Sequence, residues 1–279
     1  MPPYIRRFAP SPTGPLHFGS LVAALASYLD AKTAGGTWLV RIEDLDPPRE
    51  IFGSSQRILE QLALHGMNSD GPVRYQSQRL SQYEAQLEQL IADDHVYRCR
   101  CARRSFGSIY PGRCRTAQVS ADEAHALRLR INTSVIQHHD IGMGAHTWRQ
   151  NIDYGDFILK RKDGLFAYQL AVVIDDIDQG ITRIVRGADL LASTAMQYCL
   201  YKAFNTRSPD TLHVPIMRDR DGQKLSKQNH APELNDLTPA ENLQQALQAL
   251  NQSPISIDSP ENMLTAAIDG WQPSRIWSS

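Results

Sequence analysis

The sequence holds no uninterrupted apolar run of the ~18 residues that a membrane-crossing helix needs. Its opening, Met1-Pro2-Pro3-Tyr4-Ile5-Arg6-Arg7-Phe8, has prolines where a secretory leader would be apolar. A cytoplasmic location is the expectation. Net charge is nearly absent, with 29 lysines and arginines against 30 aspartates and glutamates. That balance excludes a nucleic-acid partner held by overall positive charge, so any RNA contact has to come from a local patch. Cysteine is scarce, at four residues in 279. Cys99, Cys101 and Cys114 crowd into one window, while Cys199 sits alone in an apolar helical pattern. With no export signal, that clustering favours a metal over disulfides.

What is present suffices for a large core, since 42 % of the residues are hydrophobic. Ile5 to Phe8 reads as a strand, Ala9 to Pro15 as a loop, and Leu21, Leu25 and Leu29 as one face of a helix, followed by a strand over Thr37 to Ile42. This is a β-α-β unit, which implies a parallel pair. Helices are expected over Gly53 to Gly66 and Gln78 to Ala92. Strands are expected over Leu127 to Ile131, Phe157 to Leu159 and, after the turn at Asp163-Gly164, Phe166 to Ile174. The middle of the chain thus reads as an insertion that interrupts the sheet. The α/β pattern resumes with a strand over Ile181 to Val185, a helix from Ser193 to Phe204 and a strand over Leu212 to Val214. Asn242 to Leu250 and Met263 to Ile268 read as short helices of a small appendage.

Two stretches carry candidate chemistry. In Arg7 to Ser20 a strand ends in a loop and feeds a helix start, where backbone N–H groups and the positive helix end suit a phosphate and a glycine permits close approach. His17 and Gly19 sit where such a ligand would lie; an ordinary connection with a turn glycine has the same pattern. In Lys224-Leu225-Ser226-Lys227-Gln228 two lysines three apart suit a loop that closes on phosphates, although a solvated surface loop reads the same way. The cysteine window offers three thiolates, enough for three corners of a tetrahedral zinc site. Reduced structural thiols are the alternative. Arg98, Arg100, Arg103, Arg104, Arg113 and Arg115 surround the window as a basic patch able to grip RNA phosphates, or to form a salt-bridged surface.

Taken together, the two stretches resemble the catalytic domain of class I aminoacyl-tRNA synthetases. His17-Phe18-Gly19-Ser20 is similar to that class's His-Ile-Gly-His tetrapeptide, and Lys224-Leu225-Ser226-Lys227-Gln228 to its Lys-Met-Ser-Lys-Ser loop. Arg7 to Gly14, with Leu39 to Asp46, resembles the glutamyl branch, and within it the glutamyl-Q tRNA(Asp) synthetase family. The likeness spans nearly the whole chain, including Gly164 to Asp176 and Ile184 to Leu190. Two positions depart from the class pattern: Ser20 replaces the second histidine and Gln228 the final serine. Both read as features of this branch.

The resemblance implies an α/β fold: a class I synthetase Rossmann-type parallel sheet with an inserted zinc-bearing region and a short helical C-terminal tail. Residues 1–94 and 166–230 would form the two parts of the catalytic domain, 95–165 the zinc-bearing, RNA-facing insert and 231–279 the tail. It implies catalysis by His17, Gly19, Lys224 and Lys227, and an ATP site of Pro10, Ser11, His17, Gly19, Ser20, Lys224, Ser226 and Lys227, with Mg2+ accompanying ATP. Glutamate carries two carboxylates and an ammonium, which calls for guanidinium forks and one acceptor. Arg7 and Arg186 supply the forks, Glu43 the acceptor, and Tyr168, Ser11 and Ala9 further contacts. Turn and core roles for Arg186 and Tyr168, and a Glu43 to Arg41 pair, are the structural alternatives. The resemblance also implies Tyr110 as fourth ligand of one structural Zn2+ beside Cys99, Cys101 and Cys114, with His95 and His125 as alternatives.

The implied reaction is ATP-dependent activation of glutamate to glutamyl-adenylate, then transfer to the cyclopentenediol of queuosine in the anticodon of tRNA(Asp). The 51 residues after Gln228 are too few for the large anticodon-binding region of an ordinary glutamyl-tRNA synthetase, which fits that reading. ATP, L-glutamate and queuosine-bearing tRNA(Asp) are the expected partners of a monomer. A shortened glutamyl-tRNA synthetase charging a tRNA 3′ end, a non-catalytic zinc-dependent RNA-binding module and a small-molecule nucleotidyltransferase stay open as alternatives.

Overall fold

A computed structural model describes residues 3–218, 222–225 and 231–278. The chain opens with strand β1 (Ile5–Phe8), helix α1 (Phe18–Thr33) and strand β2 (Thr37–Ile42). His17 caps α1, its Nδ1 accepting the Ser20 N–H at 3.2 Å, so one of the helix's orphan donors is satisfied by the residue that begins the tetrapeptide. Leu21, Leu25 and Leu29 are fully buried, which is why their four-residue spacing is helical. β1 and β2 run parallel from the Ile5 and Thr37 pair to the Phe8 and Val40 pair. After α2 (Ser54–Leu64), the short β3 (Arg74–Tyr75) extends the sheet beyond β2, also in parallel.

Helix α3 (Leu80–Ala92) leads into an antiparallel sheet of β4 (Val96–Cys99), β5 (Ala126–Leu129) and, from later in the chain, β8 (Ile158–Lys160), ordered β4-β5-β8. Between β5 and β8 lies a hairpin of β6 (Val135–Asp140) and β7 (Gly144–Arg149). It turns back toward the parallel layer, with the Ile141 N–H bonded to the Thr211 carbonyl at 2.9 Å.

The strand expected over Phe166 to Ile174 is instead helix α4 (Tyr168–Asp178). Leu170 to Ile174 are all buried, so the segment shows an unbroken apolar run, and such a run has no period to separate a buried helix from a buried strand. The parallel layer resumes with β9 (Arg183–Gly187), α5 (Leu191–Ala203) and β10 (Asp210–Val214), β9 and β10 being parallel. The β1 and β9 edges meet through the Thr182 N–H to Ile5 carbonyl bond at 3.0 Å. Within each of these two parallel sheets, β1-β2-β3 and β9-β10, the carboxyl ends lie on one rim, the side on which open α/β sheets bind ligands, and the two sheets adjoin at β1 and β9.

Helices α6 (Pro239–Ala249) and α7 (Pro260–Gly270) complete the chain. They are more than an appendage, because Leu243, Leu247, Leu250, Met263, Leu264 and Trp271 join Leu21, Leu25 and Trp38 in one buried cluster. A second cluster unites α3, α4 and α5. Among the described residues no helix is long and apolar enough to cross a membrane.

Candidate functional site

Four of the expected glutamate contacts converge on the rim. Arg7 comes from β1, Glu43 follows β2 with its N–H bonded to the Pro10 carbonyl at 2.9 Å, Tyr168 starts α4 and Arg186 lies in β9. Asp176 of α4, which the sequence reading did not single out as a site residue, anchors Arg7 among them. Its carboxylate receives Arg7 Nε and Nη2 at 3.1 and 3.2 Å, and Arg41 Nη2 lies 2.8 Å away. Burial opposes every charge here. Against it, the two guanidiniums hold Asp176 below the usual carboxylate range, and Asp176 holds Arg7 above the usual arginine range.

Glu43 is less well compensated. Its side chain is 8 % exposed, the nearest Arg41 nitrogen is 3.7 Å away, and Oε1 is buried without a hydrogen bond. Burial pushes its pKa up to about 7 in spite of Arg41 and Arg7. The Glu43 to Arg41 pair is thus long, Arg41 being committed to Asp176. Arg186 is buried and donates to His213 Nε2 at 3.1 Å, Gln197 Oε1 at 2.8 Å and Thr194 Oγ1 at 3.0 Å. Burial lowers its pKa. A buried carboxylate short of partners and a buried guanidinium on uncharged acceptors are the arrangement that a ligand carrying both signs would complete. Tyr168 stands among them, its pKa raised by burial and by Glu43.

Beside this cluster lies the expected nucleotide loop. A Cβ at Gly19 would press on the His17 ring at 3.2 Å, which would have to give by a few tenths of an ångström, and would meet Met217 Cβ at 3.5 Å in ordinary contact, so the glycine leaves this turn tightly but not exclusively packed. Both flanks of the lysine loop reach the same turn: Met217 abuts Gly19, and the Leu234 N–H bonds the Leu16 carbonyl at 3.0 Å. Lys224 Nζ is 2.5 Å from Asp189 Oδ2, in the turn that follows Arg186 and β9. Ser11 is exposed, while Ala9 and Ser20 are half-buried and Pro10 is buried. Ser226 and Lys227 lie outside the described residues.

The cysteine window packs on a small cluster of its own, Tyr97, Cys99, Tyr110, Cys114 and Val119. The Cys99, Cys101 and Cys114 sulfurs lie within 4.8 Å of one another. Cys101 Sγ is 3.5 Å from Cys114 Sγ, and the Tyr110 hydroxyl is 3.4 Å from Cys99 Sγ and 3.7 Å from Cys101 Sγ. Zinc with Zn–S near 2.3 Å and tetrahedral angles requires edges of about 3.5–3.8 Å, and the Cys101–Cys114 edge and the two Tyr110 contacts lie near that spacing, so the cluster could hold a metal. Burial works against thiolates, yet hydrogen bonding to Tyr110 and the Arg100 backbone brings Cys114 down to about 7. Arg128 lies 3.9 Å over the Tyr110 ring, a cation–π contact, while burial and hydrogen bonds to Cys114 and Cys99 hold the pKa of the Tyr110 phenol well above the ordinary range without a metal. Neither His95 nor His125 joins the sulfur group among the described residues. Around it Arg98, Arg100, Arg103, Arg104 and Arg113 are exposed, and Arg115 pairs with Asp156 at 2.8 Å.

Comparison with known proteins gives a consistent likeness. A family described as tRNA synthetases class I (E and Q), catalytic domain, matches residues 5–107 and 112–250. A Pectobacterium atrosepticum protein named glutamyl-Q tRNA(Asp) synthetase is 50 % identical over 278 residues, covering 99 % of this chain and 85 % of its own. A Vibrio cholerae protein of the same name is 45 % identical over 279 residues, with 98 % and 92 % covered. The structure of a glutamate tRNA ligase from Elizabethkingia meningosepticum, in complex with its amino acid, superposes with a TM-score of 0.84 at 26 % identity. It is covered over 66 % of its length by 99 % of this chain. A putative arginyl tRNA synthetase from Campylobacter jejuni, 12 % identical with a TM-score of 0.57 over 92 % of this chain and 64 % of its own, shares the fold. By the family match over most of its length and these near relatives, the chain belongs to the class I tRNA synthetase (E and Q) catalytic-domain family.

Proposed function

We propose that the chain activates glutamate with ATP and transfers it to the cyclopentenediol of queuosine in the anticodon of tRNA(Asp). The observation that carries the glutamate half is the opposed pair of buried, incompletely compensated charges at Glu43 and Arg186, set beside the His17 to Gly19 turn. The RNA half is supported by the name of relatives 45–50 % identical over nearly the full chain. Glu43 accepts the substrate ammonium, while Arg7 and Arg186 hold carboxylate and Tyr168, Ser11 and Ala9 complete the contacts. Pro10, Ser11, His17, Gly19, Ser20, Lys224, Ser226 and Lys227 surround ATP with its Mg2+.

In the first step an oxygen of the glutamate α-carboxylate bonds to the α-phosphorus, and the bond to the bridging oxygen breaks to release pyrophosphate. His17 and Lys227 neutralise charge on the phosphate oxygens, with Lys224 assisting once it leaves Asp189. In the second step a queuosine hydroxyl attacks the acyl carbon and AMP departs, its phosphate able to take the proton. Zinc, when bound by Cys99, Cys101, Tyr110 and Cys114, ties two loops together and holds the arginine-rich insert, residues 95–165, toward RNA.

Labelled glutamate and ATP, supplied with bulk tRNA from queuosine-making cells and from otherwise equal cells that cannot make it, test the reading. Label that depends on queuosine is expected. Equal label on both would establish the second reading, 3′-end charging, which the likeness to a glutamate tRNA ligase favours. Lys227→Ala should cut glutamate-dependent exchange between ATP and pyrophosphate by at least ~100-fold, the loss of ~2.7 kcal/mol of transition-state stabilisation.

A further inference from the structure

The two arginines assigned to the glutamate carboxylates are held in different ways. Arg7 has a direct carboxylate partner in Asp176. Arg186 has uncharged acceptors, and the one on Nε is the imidazole of His213. A guanidinium only donates, so His213 Nε2 must offer a lone pair and the ring proton must sit on Nδ1. Nδ1 is 2.6 Å from Asp140 Oδ2, and both side chains are 0 % exposed. Asp140 is itself fixed, because Oδ2 accepts from Thr211 Oγ1 at 2.6 Å and Oδ1 from the Gly142 and Met143 N–H groups at 3.0 and 2.9 Å. It ends β6, so the turn of the β6 and β7 hairpin begins at this carboxylate.

We propose that Asp140 and His213 are positioning residues for the glutamate side chain: Asp140 fixes the Nδ1–H tautomer of His213, whose Nε2 then holds the Arg186 guanidinium toward the pocket. The assignment rests on Arg186 contacting a substrate carboxylate. A carboxylate placed directly on Arg186 would neutralise it and occupy its fork. An imidazole orients the same group and leaves its charge to be completed by an anionic ligand, so glutamate is preferred to an uncharged amide such as glutamine. The buried charge on Asp140 balances Arg186 at one remove.

Asp140→Asn tests this with little disturbance of the turn, because Asn Oδ1 still accepts the backbone N–H groups. Its Nδ2–H would face His213 Nδ1, force the proton to Nε2 and set two donors against each other at Arg186. Nitrogen-15 NMR should show Nδ1–H in the parent protein and Nε2–H in the variant. The glutamate KM in pyrophosphate exchange should rise about tenfold, as expected for a lost bond to a charged group, with the ATP KM unchanged. In a His213→Gln background, where Gln Oε1 accepts whatever stands at position 140, Asp140→Asn should add less than about twofold.

An Nε2–H ring in the parent protein, or the same KM rise in both backgrounds, overturns the proposal and leaves Asp140 a structural residue. Arg186→Lys separates the underlying reading. An unchanged glutamate KM there overturns the pocket assignment and the proposal with it, whereas a raised KM without coupling between Asp140 and His213 overturns the proposal alone.

Discussion

The rim of the parallel sheet and the cysteine node each bury polar groups that are incomplete on their own. At the rim, Arg7 and Arg41 share Asp176, while Glu43 lacks a close partner and Arg186 rests on uncharged acceptors. At the node three sulfurs and a phenol face one another. What differs is the support. The rim stands over a cluster that includes Leu21, Leu25, Trp38 and the α6 and α7 apolar faces, whereas the node has Tyr97, Cys99, Tyr110, Cys114 and Val119. A substrate comes and goes, so its site has to be rigid when empty. A structural metal stays, so its site can take its stability from the ion.

The largest effect should come from removing the zinc proposed for the node. Chelation, or Cys114→Ser, is expected to abolish zinc content and to lower amide-exchange protection over residues 97–119 by at least ~100-fold, leaving α1 protected. Zinc-free protein with the node still protected would place both regions in the same class. Leu25→Ala should do the opposite. Leu25 is fully buried against the sheet, so denaturant unfolding should show a global loss of about 3 kcal/mol with zinc content unchanged.

Tyr110→Phe sharpens the comparison within the node. It removes the oxygen 3.4 Å from Cys99 Sγ but keeps the ring beneath Arg128. Competition with a chelator should show zinc affinity reduced about tenfold while the cysteines still bind. Unchanged affinity would remove Tyr110 from the ligand set.

The two regions were also unequally legible. The β1-α1-β2 start could be read because Leu21, Leu25 and Leu29 repeat at helical spacing and the motif residues sit at a chain-local turn. The convergence of Cys99, Cys101 and Cys114 could be read because they are close in sequence. α4 could not, since Leu170 to Ile174 are buried on all sides and carry no period. The β6 and β7 hairpin was missed because its inward face uses His138, His146 and Trp148, which stack on one another rather than alternate as aliphatics. Asp176 was missed as a site residue for a different reason. It lies 169 positions from Arg7, and only the fold brings them together; two adjacent acids inside an apolar run, Asp175 and Asp176, were the available sign. The depth to which α6 and α7 enter the core likewise depends on α1, which no local pattern in the tail encodes.

The smallest effect belongs to Glu43 and separates the regions by pH. Its pKa of about 7 in the folded chain lies above the ordinary 4.5. Between those values the unfolded chain gives up the proton while the folded chain keeps it, so stability falls as pH rises through the window, and the loss is complete above about 7. Glu43→Gln has no such proton. The variant's melting temperature should match the parent's below pH 4.5 and draw ahead through the window. Above pH 7 the lead should level off, because the value of about 7 already includes the attraction of Arg7 and Arg41 and beyond it Glu43 is ionised in both the folded and the unfolded parent. Glutamate affinity of the parent should rise across the same interval, since only the ionised carboxylate attracts an ammonium. Scanning calorimetry from pH 4 to 8 reads the first effect and calorimetric titration the second. A difference that stays flat with pH would mean that Glu43 is already compensated, and that the rim, unlike the node, is complete before its ligand arrives.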